Sequence, residues 1–284
     1  VNAAENLEVG DSAKSGFEAW CESLGVDHRE VRAVVGYLGI DAATLRRLPL
    51  GDPAWFTKLR QQCADTKARR EAWAARWAQD SVGPESFRKL TGQEMFRILP
   101  ERLKGLARAW SANSCGALLL GPTGIGKSMA ACFLARRTVY ERMLATDDWH
   151  YRCDRPEHDA TYIHDDDRPY MSERYGVLWA SAPALYLARR RHPLGKDEPR
   201  LVDRATKAKL LILDDIGREP AQESVVQDVL WERCDRDGLV TIATAGDSEA
   251  KLSDRYGAAL VRRIHELDGR QGFVVDLFPG QVTT

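Results

Sequence analysis

The stretch LLLGPTGIGKSMAAC, residues 118–132, decides how the rest of the chain is read. An apolar run breaks into a glycine-rich turn, a Lys-Ser pair follows, and small helix-compatible residues resume. Gly121-Pro122-Thr123-Gly124-Ile125-Gly126-Lys127-Ser128 fits G-x-x-x-x-G-K-[ST] at every required position. The chemistry accounts for the spacing. Glycines let the turn wrap so that several backbone N–H groups point at phosphate oxygens, with no Cβ in the way. A helix opening at Lys127 adds its positive N-terminal end. The segment expected to grip a phosphate chain is therefore Gly121, Pro122, Thr123, Gly124, Ile125, Gly126, Lys127, Ser128 and Met129. Lys127 would reach the β- and γ-phosphates, and the Ser128 hydroxyl would ligate Mg²⁺. The competing account, an ordinary glycine-rich turn, does not explain the strand before it and the helix after it.

A triphosphate site needs an acidic group at the end of a neighbouring strand, to hold the metal and orient water. LLILDDIG, residues 210–217, offers two. Asp214 is the expected Mg²⁺ partner, and Asp215, one residue on, is placed to activate the attacking water. Alone, the segment reads as an Asp-Asp turn capping a buried strand. Beside the phosphate turn, it reads as the second half of a site.

The pair GPTGIGKS and LLILDDIG, with two aspartates, resembles the DnaC/IstB branch of the AAA+ ATPases: replicative-helicase loaders and the ATP-binding partners of transposases. The resemblance spans about residues 85–280, and SFRKLTGQEMFRILPERLKGLARAW (86–110) is similar to that branch's helical lead-in. It implies a five-stranded parallel core, ATP and Mg²⁺ as ligands, and homo-oligomeric assembly on DNA, chiefly single-stranded, with a helicase or transposase as partner. It also implies Thr244 as a sensor of the γ-phosphate at the end of TIATAGD. Ala245 and Gly246 stand where polar neighbours are expected, so slow hydrolysis is anticipated. DRYGAALVRRIHE (254–266) resembles the segment ending in an arginine finger, with Arg263 the first candidate and Arg262 the second. Arg233 occupies a position where the family often carries an arginine. The DNA-facing element would be LYLARRRHPLGKDEPRLVDRATKAK (185–209). Arg189, Arg190, Arg191, Lys196 and Arg200 would contact phosphates there, and Tyr186 would stack on a base. A charged surface helix and loop accounts for the same residues.

Around this centre, the texture from residue 85 onward is short apolar runs alternating with helical segments, the pattern of a parallel α/β sheet covered on both faces. The first 84 residues read as helical, with a long helix over 51–80 and SVGP (81–84) as linker. The expected organisation is a small helical partner-binding module at 1–84 and an AAA+ domain at 85–284. An acidic surface insertion interrupts the latter at about 146–175. Trp55, Trp73 and Trp77 are expected in the core of the helical module. His150, Cys153, His158 and His164 cluster in the insertion, but their spacing matches no zinc pattern of known geometry.

Of the 284 residues 44% are hydrophobic, enough for a sizeable core, and none of the apolar runs reaches the length of a membrane span. The first residues, VNAAENLEVG, lack the basic start and apolar stretch of a signal peptide. Six dispersed cysteines without a CxxC pair suit a reducing compartment, so a cytoplasmic location is expected. The net charge of −1 gives no overall pull toward polyanions; basic stripes at 56–109 and 186–211 read first as solvated helix faces and second as local polyanion contacts. The expectation is an ATP-dependent DNA-transaction factor, a helicase loader first and a transposition ATPase second. A P-loop small-molecule kinase, or a nucleotide switch without turnover, are the rivals.

Overall fold

The computed structural model describes residues 53–111, 115–145, 175–193, 195–220, 225–234, 236–266 and 272–279. The early helical readings at 29–48 lie outside the described residues, as do the Trp55 side chain and the insertion with its His and Cys residues. The chain divides into two compact units, Val1–Ala72 and Trp73–Thr284.

The first described helix, α1, spans Pro53–Ser81. The sequence reading ends the helical module at residue 84, whereas the division between compact units falls at Ala72/Trp73. The reason is packing. Ala74, Trp77, Ala78 and Val82 are buried in the same core cluster as Leu119 and Ile212 of the sheet. Trp77 meets Tyr175 edge-on at 5.9 Å and Trp73 at 5.8 Å, so these two tryptophans belong to the second unit and not to a separate helical core.

Three short helices follow: α2 (Glu85–Arg88), α3 (Gly92–Ile98) and α4 (Glu101–Ala109). Thr91 opens α3 with a reciprocal cap. Its hydroxyl accepts from the Glu94 N–H while the Glu94 carboxylate accepts from the Thr91 N–H, which satisfies two otherwise unpaired donors. Pro100 ends this turn and starts the next, with no N–H to leave unpaired.

The sheet is built from β1 (Ala117–Leu120), β2 (Val177–Ser181), β3 (Leu210–Ile216), β4 (Val240–Ala245) and β5 (Phe273–Asp276). All pairings are parallel, in the order β2-β3-β4-β1-β5. Between them run α5 (Lys127–Ala145), α6 (Ala182–Arg191), α7 (Arg200–Lys207), α8 (Val225–Cys234), α9 (Glu249–Tyr256) and α10 (Ala258–His265). Alternation along the strands splits the core in two. Leu119, Leu210, Ile212 and Ile242 face α1, α4 and α5, whereas Leu118, Leu120, Leu211, Leu213 and Ala243 face α6 to α10. Both faces are apolar because both are covered, which is why the strands read as continuous hydrophobic runs. Each fully buried leucine contributes about 1.5–3 kcal/mol by leaving water.

Two elements differ from the sequence reading. RYGAALVRRIHEL (255–267), which reads in sequence as one last helix before the final strand, is two: Gly257, at φ +88°, ends α9 and turns the chain into α10. Residues 200–207, read as part of a basic loop, form α7, whose Val202 and Ala205 are buried against the second core.

Candidate functional site

The turn between β1 and α5 leaves the sheet beside β4, where the Gly121 N–H donates to the Ala245 carbonyl at 3.2 Å. Gly121, Gly124 and Gly126 all have positive φ (144°, 85° and 97°). A Cβ on Gly121 would also meet Leu277 Cβ at 2.8 Å, so space as well as torsion demands glycine there. Behind the loop, a Cβ on Gly126 would lie 3.4 Å from Pro100 Cδ, with Leu99 and Leu103 next, so the α3–α4 corner braces the turn. Pro122, Thr123 and Gly124 are exposed at the crown; Ile125 and Met129 pack against the first core. Lys127 is buried. Its Nζ donates to the Gly121 carbonyl at 2.6 Å and the Pro122 carbonyl at 2.8 Å. Burial pulls the Lys127 pKa down, while the carboxylates of Asp215 and Asp214 oppose that shift.

The acidic strand reaches the turn through hydroxyls. β4 lies between β1 and β3, so the phosphate turn and the two aspartates are separated by a strand. Ser128 Oγ donates to Asp214 Oδ1 at 2.8 Å, and Thr244 Oγ1 donates to the same oxygen at 2.6 Å. The Thr244 oxygen in turn accepts from the Asp215 N–H at 3.0 Å. Burial raises the Asp214 pKa and the neighbouring Asp215 charge adds to that, whereas the Thr244 and Ser128 hydrogen bonds pull it back.

Register explains how Asp215 is aimed. Leu213 pairs with Ala243 and Ile216 with Ala245, so β3 carries one more residue than β4 between these points: a bulge at Asp214–Asp215. Asp215 sits there at φ +56°, the one non-glycine residue with positive φ among the described residues. That conformation is unfavourable for a side chain and persists only where the surroundings impose it. The Thr244 hydroxyl and the β4 ladder supply that constraint. Thr244, the expected γ-phosphate sensor, is fully buried, and its hydroxyl is engaged with the two aspartates, which positions them.

The glycine cradle, the buried ammonium, the start of α5 and the all-oxygen pair Ser128–Asp214 fit a nucleoside triphosphate with a hard Mg²⁺ ion. A five-stranded parallel sheet carries this turn. The chain has an α/β P-loop core. No protein-family model matches the sequence, and no curated protein does. Among solved structures the chain is similar to the crystal structure of DnaI, at 16% identity and a TM-score of 0.38 over 61% of this chain and 88% of that one. It is also similar to the crystal structure of the DnaC helicase loader, at 14% identity and a TM-score of 0.36 over 61% and 86%. The P-loop assignment rests on the sheet and the turn themselves.

The remaining sequence candidates are spread widely. Arg262 and Arg263 line a cavity of about 290 Å³ with Gly116, Arg233 and Arg236, at the end of β1 opposite the phosphate turn. Arg262 pairs with Glu266 at 3.2 Å, and the Arg263 guanidinium lies 5.6 Å over the Trp231 ring. Neither is near the turn of its own chain. Arg233 is a bracket inside the fold, donating to Thr241 Oγ1 and to the carbonyls of Ala205, Ala208 and Val240. Burial pulls its pKa down to about 9, and these oxygens hold the charge in place. Arg189 is engaged with Asp228 and, at 3.1 Å, with Glu198; Arg190 lies over the Tyr186 ring at 6.0 Å. Arg191, Lys196 and Arg200 are exposed. Among the described residues no group of three or more His, Cys, Asp or Glu is placed to hold a metal ion, and no helix is long and apolar enough to cross a membrane.

Two site residues escaped sequence reading. Arg218 Nη2 donates to Thr123 Oγ1 at 3.0 Å, across the mouth of the turn. Glu219 is buried, accepts from the Gly217 N–H at 3.2 Å, and binds the Tyr256 hydroxyl and Arg255, tying the end of β3 to α9. Their only sequence signal is position, three and four residues after Asp215.

Proposed function

We propose that this chain is an ATPase of DnaC/IstB type that acts in a DNA transaction, first as a replicative-helicase loader, and that holds ATP–Mg²⁺ between the subunits of an oligomer on single-stranded DNA. The observation that carries the reading is the shared oxygen of Asp214. It accepts from Ser128 at the start of α5 and from Thr244 on β4, which puts a carboxylate at the lip of a glycine-rich phosphate turn. When bound, Mg²⁺ neutralises phosphate charge. Lys127 supplies a cation beneath the turn, and Asp215, at the bulge beside Asp214, accepts a proton from the attacking water. Arg263, remote from its own turn, serves the neighbouring subunit's site. Arg189, Arg190 and Arg191 at the end of α6, Lys196 in the connection and Arg200 at the start of α7 contact DNA phosphates, and residues 1–84 recruit the partner. An IstB-like partner of a transposase would use the same site, differing in what that module binds.

A second reading draws on β4, which ends at Ala245 and is followed by Gly246, with the Thr244 hydroxyl already engaged. On that reading nucleotide acts as an assembly switch with little turnover. Sedimentation with ATP, ADP or no nucleotide, with and without single-stranded DNA, tests the proposal when combined with phosphate release. ATP- and DNA-dependent assembly with turnover supports it. A persistent monomer favours a small-molecule kinase, and assembly with background phosphate release favours the switch.

A further inference from the structure

The polar end that β4 lacks is supplied from the next strand. Arg218 follows β3 by two residues, and its guanidinium donates to the Thr123 hydroxyl at the crown of the phosphate turn. Among the described residues that neutral hydroxyl is its one polar partner; Arg189, Arg255 and Arg262, by contrast, are each paired with a carboxylate. The guanidinium is close enough to Lys127 to oppose its charge. It also lies where the sensor side chain would project: a Cβ built on Gly246 has Arg218 Nη2 as its nearest neighbour, at 3.9 Å. An exposed guanidinium with no carboxylate partner among the described residues thus lies between the turn, Lys127 and the end of the sensor strand.

We infer that Arg218 is a catalytic residue of this chain's own site, donating to the terminal phosphate oxygens of ATP in place of the polar side chain missing at 246. This rests on the ATP reading of the site above. In hydrolysis the water oxygen bonds to the γ-phosphorus, and the bond from that phosphorus to the bridging oxygen breaks. ADP leaves with the electron pair and the water proton passes to Asp215. Arg218 donates to the phosphoryl oxygens as their charge redistributes, from a fork already pointed at the turn. Five donors in one plane allow it to keep Thr123 and hold a phosphate oxygen at once. A Cβ at 246 would only touch it, at 3.9 Å, so the two positions face the same space.

The test uses the full chain and four variants: Arg218→Ala, Arg218→Lys, Arg218→Ala with Gly246→Asn, and Lys127→Ala as the control for the ATP reading. Fluorescent ATP and ADP analogues give affinities, and phosphate release gives turnover at saturating ATP. Arg218→Ala should leave ADP affinity within about twofold, weaken ATP about tenfold, and lower turnover on the order of 10²-fold, as loss of a charge-stabilising donor does. Lysine should recover part of this. So should Gly246→Asn in the double variant, which restores a donor from the other strand into the space Arg218 vacates. Equal weakening of ATP and ADP, unchanged turnover, or no recovery by Gly246→Asn would overturn the assignment while leaving the ATP reading intact. A wild-type chain that binds ATP no better than Lys127→Ala would overturn both. Thermal melts of each variant separate these outcomes from misfolding.

Discussion

Replacing Thr244 with valine removes one hydroxyl and keeps the shape of the side chain. That oxygen donates to Asp214 Oδ1 at 2.6 Å and accepts from the Asp215 N–H at 3.0 Å, at a position fully excluded from solvent. A hydrogen bond to a charged group is worth about 1.5–3 kcal/mol, and a buried N–H left unpaired costs about 1–3 kcal/mol. The two share one atom and do not add fully, so Thr244→Val should cost about 2–4 kcal/mol. In urea this lowers the midpoint by roughly 1 M. Thr244→Ser keeps both hydrogen bonds and loses one methyl, about 1 kcal/mol. The pH dependence follows from Asp214. Its pKa is raised in the folded chain by burial, against the pull of the Thr244 and Ser128 hydrogen bonds, so ionising it costs stability as pH rises through the folded value. Valine removes the stronger of the two opposing bonds and raises that value further. The Val-versus-Ser difference should therefore be largest at neutral to alkaline pH and shrink as pH falls below the ordinary carboxylate value of about 3.9, where Asp214 is protonated in both folded and unfolded chains. Turnover should follow the same split: serine close to wild type, valine down at least tenfold, because Asp215 loses the bond that holds its strained backbone. Urea melts at the two ends of that range and phosphate release check both parts. Equal stability and equal turnover for the valine and serine variants would refute the bracket role of Thr244.

Lys127→Ala should abolish nucleotide binding measured by fluorescence titration, since the buried ammonium at the turn is the charge that meets the phosphates. Arg263→Ala should bind nucleotide normally yet lose turnover by about 10³-fold or more in the oligomer; mixing it with Lys127→Ala subunits, which retain Arg263, should restore activity if the residue acts on its neighbour. Arg233→Met leaves the Thr241 hydroxyl and three carbonyls without their donor and should cost about 2–4 kcal/mol by urea melt, with nucleotide affinity unchanged at the other end of the sheet. His265 is buried, its Nδ1 has no hydrogen-bond partner among the described residues, and burial lowers its pKa although Glu249 and Glu266 oppose this and Arg262 assists it. A base whose folded pKa is depressed loses stability as pH falls below its ordinary value near 6.5, so the wild type should weaken toward pH 5 and His265→Leu should flatten that slope.

The parallel α/β core, the phosphate turn and the identity of the two aspartates were legible in the amino-acid order alone. These are signals carried by neighbours in the chain. A glycine spacing, an apolar run of strand length and a carboxylate at its end are local facts, and burial on both faces of a sheet requires continuous apolar strands whatever lies elsewhere. Helix α10 was legible for the same reason, although the break at Gly257 was not: a lone glycine in a helical pattern reads as tolerated until its torsion is known.

Whatever depends on which strand lies beside which came from the packed fold. The placement of β4 between β1 and β3 brings Thr244 onto Asp214 and leaves its hydroxyl engaged, and the one-residue bulge in β3 holds Asp215 at positive φ. Arg189 reads as a free cation in the chain but meets Asp228 and Glu198 in space, whereas Arg218 reads as one arginine among many and binds the Thr123 hydroxyl at the turn. Trp77, expected in a separate helical core, is buried with the sheet because α1 continues into the second unit. Charge and burial are properties of neighbours in three dimensions, and residues far apart in the chain become neighbours only when the sheet has set its order.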